Sequence, residues 1–421
     1  MPPAADGPRG SHRARAASHD RPWLPPIVWT FGWISLLTDT ASEAIYPLLP
    51  LFLAHVLGAR ALALGVIEGA AEATASLLKV VSGRLSDRLA RRRPFVVVGY
   101  TVSSLTRPAI GLAAAWTHVL ALRLADRAGK GLRSAPRDAI IAAVAPPGER
   151  GRVFGVHRAM DHAGAIVGPV LASAFLWAAP GAYRALFLLT LIPGLAVIAL
   201  VARLPREGRP AAAEVEPEDA RGMAWRALPA PFWRLMAVML VFTLGNSTDA
   251  YLLLRLSGLG VPAVAIPLLW ALLHVVKAST SVGSGLLADR IGSRPVIAAG
   301  WLIYAIVYAG FARVTSVAAA VALFVSYGLF FGFTEGVESA LVADLTPPGL
   351  EGSAFGVYHA VVGIGALAAS LVFGAVWEGR SASAAFGLGA TLAAAATLLL
   401  WLAVPVPREF DGRRRPRVDS R

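Results

Sequence analysis

Seven charged residues, Arg123, Asp126, Arg127, Lys130, Arg133, Arg137 and Asp138, stand close together in a sequence that is otherwise strongly apolar. Such a set could cradle a phosphate, bind an anion, relay protons or satisfy itself as ion pairs. A Walker-type phosphate loop needs glycine five residues before Gly129-Lys130 and Ser or Thr after them; Leu124 and Gly131 stand there instead, so that reading fails. At 100° per residue all seven fall within a sector of about 140°, so a helix presents them as one stripe beside a face of Leu, Ala and Gly. Carboxylates recur at helical spacing elsewhere: Asp39 with Glu43, Glu68 with Glu72, and Glu335 with Glu338 each share one helix face.

Two chemistries are open to these residues. One is a set of structural salt bridges in which the charges satisfy each other. The other is proton exchange: burial favours a protonated carboxyl and a neighbouring cation favours a charged one, so a carboxylate between the two can release a proton when substrate arrives. Asp39 is the first choice for that role and Glu43 the second, with Lys130 and Arg133 as coupling partners or ligands for an anionic group. The candidate set for substrate binding and proton coupling is Asp39, Glu43, Glu68, Glu72, Arg123, Asp126, Arg127, Lys130, Arg133, Asp249, Glu335 and Glu338. A cationic substrate would compete with the proton for Asp39, Glu43, Glu335 or Glu338, whereas an anionic one would use Lys130 and Arg133. No nucleophile, base and orienter set is present, and no metal triad, so no catalytic residue, cofactor or metal is expected. The absence of cysteine excludes disulfides and thiolate chemistry.

The elements that carry these residues must cross a membrane. Of 421 residues, 56% are hydrophobic and 15% charged, with mean hydropathy +0.61, far from the balance of a soluble domain. Apolar runs such as Phe95 to Trp116, Ala185 to Val201, Pro295 to Phe311 and Ala382 to Val404 are long enough to span about 30 Å of hydrocarbon as helices. Twelve crossings are predicted, roughly 26 to 57, 62 to 83, 95 to 115, 117 to 144, 153 to 178, 184 to 203, 231 to 254, 262 to 285, 295 to 313, 316 to 345, 353 to 378 and 382 to 406. The charged stripe is then the fourth crossing. Seven charges facing lipid would cost on the order of 20 kcal/mol, so they must face partners or water.

Arginine placement sets the orientation. With both termini inside, cytoplasmic segments hold Arg9, Arg13, Arg15, Arg21, Arg84, Arg88, Arg91 to Arg93, Arg150, Arg152, Arg206, Arg209, Arg221, Arg226, Arg290, Arg294, Arg413 to Arg415 and Arg417, and the opposite loops little beyond Arg60, Arg184, Arg313 and Arg380. This is the positive-inside pattern. It also accounts for the net charge of +13: the basic residues hug membrane edges, and nucleic-acid binding is not expected. The chain divides into a cytoplasmic N-terminal tail (1–24), a six-helix half (25–203), a cytoplasmic linker rich in Pro, Glu and Arg (204–230), a second six-helix half (231–406) and a basic cytoplasmic tail (407–421). The expected location is the plasma (inner) membrane, and the expected state a monomer in contact with lipid.

The chain also repeats itself. "APPGERGRVFGV" (145 to 156) returns as "TPPGLEGSAFGV" (346 to 357), and "GRLSDRLARRRP" (83 to 94) as "GLLADRIGSRP" (285 to 295), offsets of 201 and 202. More weakly, Ser42-Glu43-Ala44 matches Thr248-Asp249-Ala250. Matches in one order at nearly one offset mean two parallel halves.

The repeated Gly-x-x-x-Asp-Arg-x-x-x-Arg loop resembles the signature loop of the major facilitator superfamily. It comprises Gly83, Asp87, Arg88, Arg91 and Arg92, then Gly285, Asp289, Arg290 and Arg294, with Ala90 where the family usually has glycine. The resemblance covers residues 25 to 406 and implies an all-α membrane protein of twelve transmembrane helices in two parallel six-helix pseudo-repeats. It also implies that helices one, four, seven and ten line a central cavity, and that the loops are cytoplasmic latches. Asp87 would meet the start of helix eleven at Ser353 to Phe355 and Asp289 the start of helix five at Arg152 to Phe154, holding the outward-facing state until the halves rock. "YPLLPLF" (46 to 52) and "GAIVGP" (164 to 169) are similar to antiporter signatures of helices one and five in drug:proton antiporters. Gly164 and Gly168 would supply a small-residue packing face and Pro169 a bend.

The sequence is thus read as a secondary transporter working by alternating access, exporting a small molecule of undefined charge class against protons. The alternatives are an organic anion or metabolite transporter, and a non-transporting sensor or enzyme on the same fold. On helix five, His157 and Asp161 are spaced to meet.

Overall fold

The computed structural model describes residues 25–89, 91–144, 150–205, 224–347 and 350–404. They form twelve helical rods. α1 runs Pro26–Ile45 and continues through Tyr46–Leu48, Leu49–Leu51 and Phe52–Val56; α2 is Ala61–Arg88; α3 is Arg93–Ala109 with a tight last turn, Ile110–Leu112; α4 is Trp116–Val144; α5 is Arg150–Ala178; α6 is Tyr183–Leu189 followed by Leu191–Ala202. The second half repeats the order: α7 is Ala230–Gly245 followed by Ala250–Gly258, α8 Ala265–Ile291, α9 Ser293–Arg313, α10 Val317–Asp344, α11 Glu351–Gly379 and α12 Ala382–Ala403. Ten of the twelve are long and apolar enough to cross a membrane by length and composition. The other two are α1, which is broken, and α4, which carries the stripe.

The irregularities follow from local chemistry. Pro47 and Pro50 have no N–H to give the carbonyls of Glu43 and Tyr46, so the outer part of α1 alternates tight and wide turns. Pro193 likewise leaves the Leu189 carbonyl unserved beside the break at Thr190, whose hydroxyl bonds the Phe187 carbonyl at 2.6 Å. α7 was predicted as one helix over 231 to 254. It is two pieces, because Asn246 leaves helical geometry (φ −96°, ψ 82°) and the freed Gly245 carbonyl is taken by the Tyr304 hydroxyl at 2.9 Å.

Both halves pack alike. The first helix lies on the fifth, the second on the fourth, and the third on the fourth and sixth; the halves meet where α2 packs on α11 and α5 on α8. Small residues set these distances. A methyl group at Gly164 would stand 2.5 Å from the Leu36 carbonyl oxygen, and one at Gly168 would collide with that of Thr40, so the α5 signature packs directly on α1.

The paired signature loops divide. A methyl at Gly83 would lie 3.3 Å from Cβ of Ala135 on α4, whereas one at Gly285 would meet nothing within 4 Å among the described residues. Arg91 and Arg290 are exposed and Arg92 is half-buried. The side chains of Asp87, Arg88, Asp289, Arg152 and Ser353, on which the latch expectation rests, lie outside the described residues, as do the tails and most of the linker.

Arg294 has a different duty from the one its motif suggests. Its Nη1 donates to the Val404 carbonyl at 2.8 Å and its guanidinium lies 4.3 Å from the Trp401 ring, which ties the start of α9 to the end of α12 within one half. Arg93, 201 positions earlier, does the same for α3 and α6, donating to the carbonyls of Leu204 and Ala202 at 2.9 Å each. Each guanidinium serves carbonyls that a helix C-terminus leaves without partners. Arg93→Ala and Arg294→Ala are each expected to cost about 1–2 kcal/mol, adding nearly independently because they lie in separate halves. Thermal unfolding of the two single variants and the double variant checks this.

Candidate functional site

The charges of α4 sort into two groups. Arg123 is buried and donates from Nε and Nη2 to the carboxylate of Glu68 of α2, at 2.7 to 3.0 Å. Asp126, 1% exposed, accepts from Arg107 of α3 at 2.9 Å and lies 3.5 Å from Arg123; Arg107 also donates to the Thr38 carbonyl of α1 at 2.9 Å. Arg133 turns toward α3, donating to the Ser103 hydroxyl at 2.5 Å beneath the Tyr100 ring. Arg137 pairs with Asp138 at 2.9 Å. Arg123, Asp126 and Arg133, expected in the cavity, therefore stand behind its wall, because α2 and α3 flank the stripe and supply their partners. Arg107 was missed in the sequence, although an arginine inside an apolar run asks for a partner.

Arg127 and Lys130 remain, and they face a cavity of about 480 Å³ between the halves. Glu43, Tyr46, Glu68 and Glu72 line it from the first half; Asp249, Trp270, His274, Lys277, Glu335, Glu338 and Tyr358 line it from the second, with Met239, Phe242, Phe330 and Phe331 as its apolar surface. Of the first-half charges here, Glu68 is neutralised by Arg123.

The carboxylates of the other wall are held differently. Glu335 pairs with Lys277 at 2.7 Å. Asp249 accepts from the Tyr327 hydroxyl at 2.7 Å, and Glu338 from the Trp301 indole at 2.9 Å and the Tyr358 hydroxyl at 3.2 Å. Glu43 of α1 accepts from the Trp270 indole of α8 at 2.8 Å, a bond between the halves, with His274 4.0 Å away. Neutral donors, not cations, thus hold three intramembrane carboxylates. Trp270, Trp301, Tyr327 and Tyr358 were not anticipated as partners.

Asp39 is not among the residues that line the cavity. It is half-buried one turn from Glu43, where a methyl on Gly164 of α5 would come within 3.0 Å of its Cβ. The neighbouring Asp161 of α5 bonds the Ser35 hydroxyl and lies 3.9 Å from His157 and 3.4 Å from Arg158, so His157 and Asp161 do meet.

The profile of the Major Facilitator Superfamily matches residues 31–284 and 258–420. The chain belongs to this superfamily. A superfamily transporter of Methanocaldococcus jannaschii is 31% identical over 383 residues, covering 90% of this chain and 94% of its own. The multidrug resistance protein MdtH of Photorhabdus laumondii is 30% identical over 140 residues, 33% of this chain and 34% of its own. Among solved structures, the inward-open xylose transporter XylE of E. coli superposes with TM-score 0.68 at 18% identity, covering 90% of this chain and 96% of its own, a likeness of fold.

This major facilitator protein is a transporter-family chain, not an enzyme, and its halves are bonded to each other at one end of the cavity. At the end away from the termini the halves are joined: Arg60 to Glu378 at 2.9 Å, the Leu62 N–H to Glu378 at 2.7 Å, His55 with Ser257 at 3.3 Å, and the Ser173 hydroxyl to the Val264 carbonyl at 2.6 Å. Tyr251 of α7, fully buried, aims its hydroxyl at the carbonyls of Ala61 (3.0 Å) and Ser370 (3.1 Å), at a site where Gly65 and Gly374 make room for it.

Proposed function

We propose that this major facilitator protein is a secondary active transporter that exports a small molecule in exchange for protons by alternating access, from a plasma membrane in which both termini are cytoplasmic. With the termini inside, the end at which the halves are bonded is the outer one. The observation that carries the reading is the Glu43 to Trp270 bond: a membrane-embedded carboxylate of one half accepts a hydrogen bond from the other half inside the cavity. A bond to an ionised acceptor is roughly twice as strong as a neutral one, so a proton on Glu43 weakens the tie between the halves and loss of that proton restores it. Proton binding and the rocking of the halves are coupled at one atom pair. Asp39, one turn before Glu43 on α1 and behind the cavity wall, is proposed as the second carboxylate of the coupling step. Export as the direction is supported by the antiporter-like segments 46 to 52 and 164 to 169 and by the partial match to a multidrug resistance protein.

The test uses everted vesicles whose interior is acidified by respiration, with a pH-sensitive dye and a panel of cationic, neutral, anionic and amphoteric compounds. Compound-triggered proton release is expected in the wild type and absent in Glu43→Gln, which keeps one acceptor oxygen for Trp270 but cannot take up a proton; Asp39→Asn is expected to reduce it. Unaltered release in Glu43→Gln would remove Glu43 from the coupling step. Silence of a folded wild-type protein across the panel would defeat proton antiport itself.

A further inference from the structure

The cavity is charged unevenly, and the unevenness is directional. On the first-half wall, Arg127 and Lys130 stand at i, i+3 on one face of α4, so two like charges are neighbours. Neither side chain makes an ion pair or hydrogen bond among the described residues; beyond Glu68, which Arg123 holds, the carboxylates on this wall are Glu72 and Glu43, and Glu43 is turned to Trp270 of the other half. On the second-half wall Glu335 is cancelled by Lys277, whereas Asp249 and Glu338 are held by phenol and indole donors alone. The surface between the walls is apolar and aromatic. When the cavity closes and water leaves, a charge without a partner becomes costly. A singly charged solute could satisfy one wall and would strand the other.

We propose that the solute is amphoteric: an apolar body with an anionic group that meets Arg127 and Lys130 and a cationic group that meets Glu338 and Asp249. A cavity of about 480 Å³ lies within the usual range for small-molecule sites. This assignment rests on the transporter reading above and resolves its open question of charge class. It also gives both walls a part in closure, since the solute bridges the two halves and draws them together through its two ends.

The experiment is calorimetric titration of the full chain in nanodiscs with two matched sets. The first is 4-(aminomethyl)benzoate, 4-methylbenzylamine and 4-methylbenzoate; the second repeats the three on a biphenyl body. In at least one set the amphoteric member is expected to bind about tenfold or more tighter than either singly charged analogue. Lys130→Gln or Arg127→Gln should erase its advantage over the amine and leave its advantage over the acid. Glu338→Gln should do the reverse. Lys130 is exposed to the cavity, so its replacement leaves the fold intact and keeps the crossed pattern readable. Equal or tighter binding of a singly charged member, or no binding by any member of either set, would overturn the proposal. The two readings fail separately: amphoteric selectivity without proton release would sink coupling alone, and proton release driven by singly charged compounds would sink the solute class alone.

Discussion

Arg123→Met is expected to deplete folded protein from the membrane, at a cost of roughly 3–5 kcal/mol. The guanidinium is the sole cation in hydrogen-bond contact with Glu68 among the described residues and one of two beside Asp126. All of these side chains are 6% exposed or less. Its removal leaves an uncompensated carboxylate between α2 and α4, where methionine fills volume and supplies no charge. Adding Glu68→Gln should recover part of the loss, because the stranded charge goes with it. Monodisperse yield and thermal midpoint of the two single variants and the double variant measure this. A single variant as stable as the wild type would show that water or a rearranged Arg107 takes over.

Tyr251→Phe is expected to release the closed end. The ring stays packed, with centroids 4.6 Å from Phe373 and 5.6 Å from Trp377. What disappears is the hydroxyl that reaches the carbonyls of Ala61 and Ser370, one in each half. A donor lost from a buried carbonyl is worth about 1–3 kcal/mol, which multiplies the population opened at that end by roughly 5- to 150-fold. The chain has no cysteine, so one introduced at Leu48, fully buried near this end, reports alone. Its modification by an impermeant maleimide from the opposite side should accelerate by about the same factor. An unchanged rate would mean that Arg60, His55 and Glu378 hold that end by themselves.

The twelve rods were legible because a membrane demands long apolar runs and punishes everything else, and the paired loops gave away the two halves. The break in α7 was less visible: no proline marks it, and Asn246 with its small polar neighbours reads as tolerable within an apolar stretch. The candidate site was legible as a set and illegible as an arrangement. All seven charges of α4 fit one arc, but an arc that wide has flanks, and which flank meets α2 or α3 depends on how the helices pack. Arg107 escaped notice because averaged hydropathy dilutes a single charge. The indole and phenol donors to Glu43, Asp249 and Glu338 come from residues remote in sequence, and no local pattern connects them.

The clamp made by Arg93 has its twin in Arg294, whereas the carboxylates of the cavity have parted ways. Glu43 and Asp249 occupy matching places in the repeated segments, yet Glu43 reaches across to the other half and Asp249 accepts from Tyr327 within its own. If both halves descend from one duplicated gene, the internal clamp is the older feature and the bond between halves the younger. Selection then held the two copies alike where each must move as a rigid body. It let them diverge where a symmetric site would have greeted both ends of a solute in the same way.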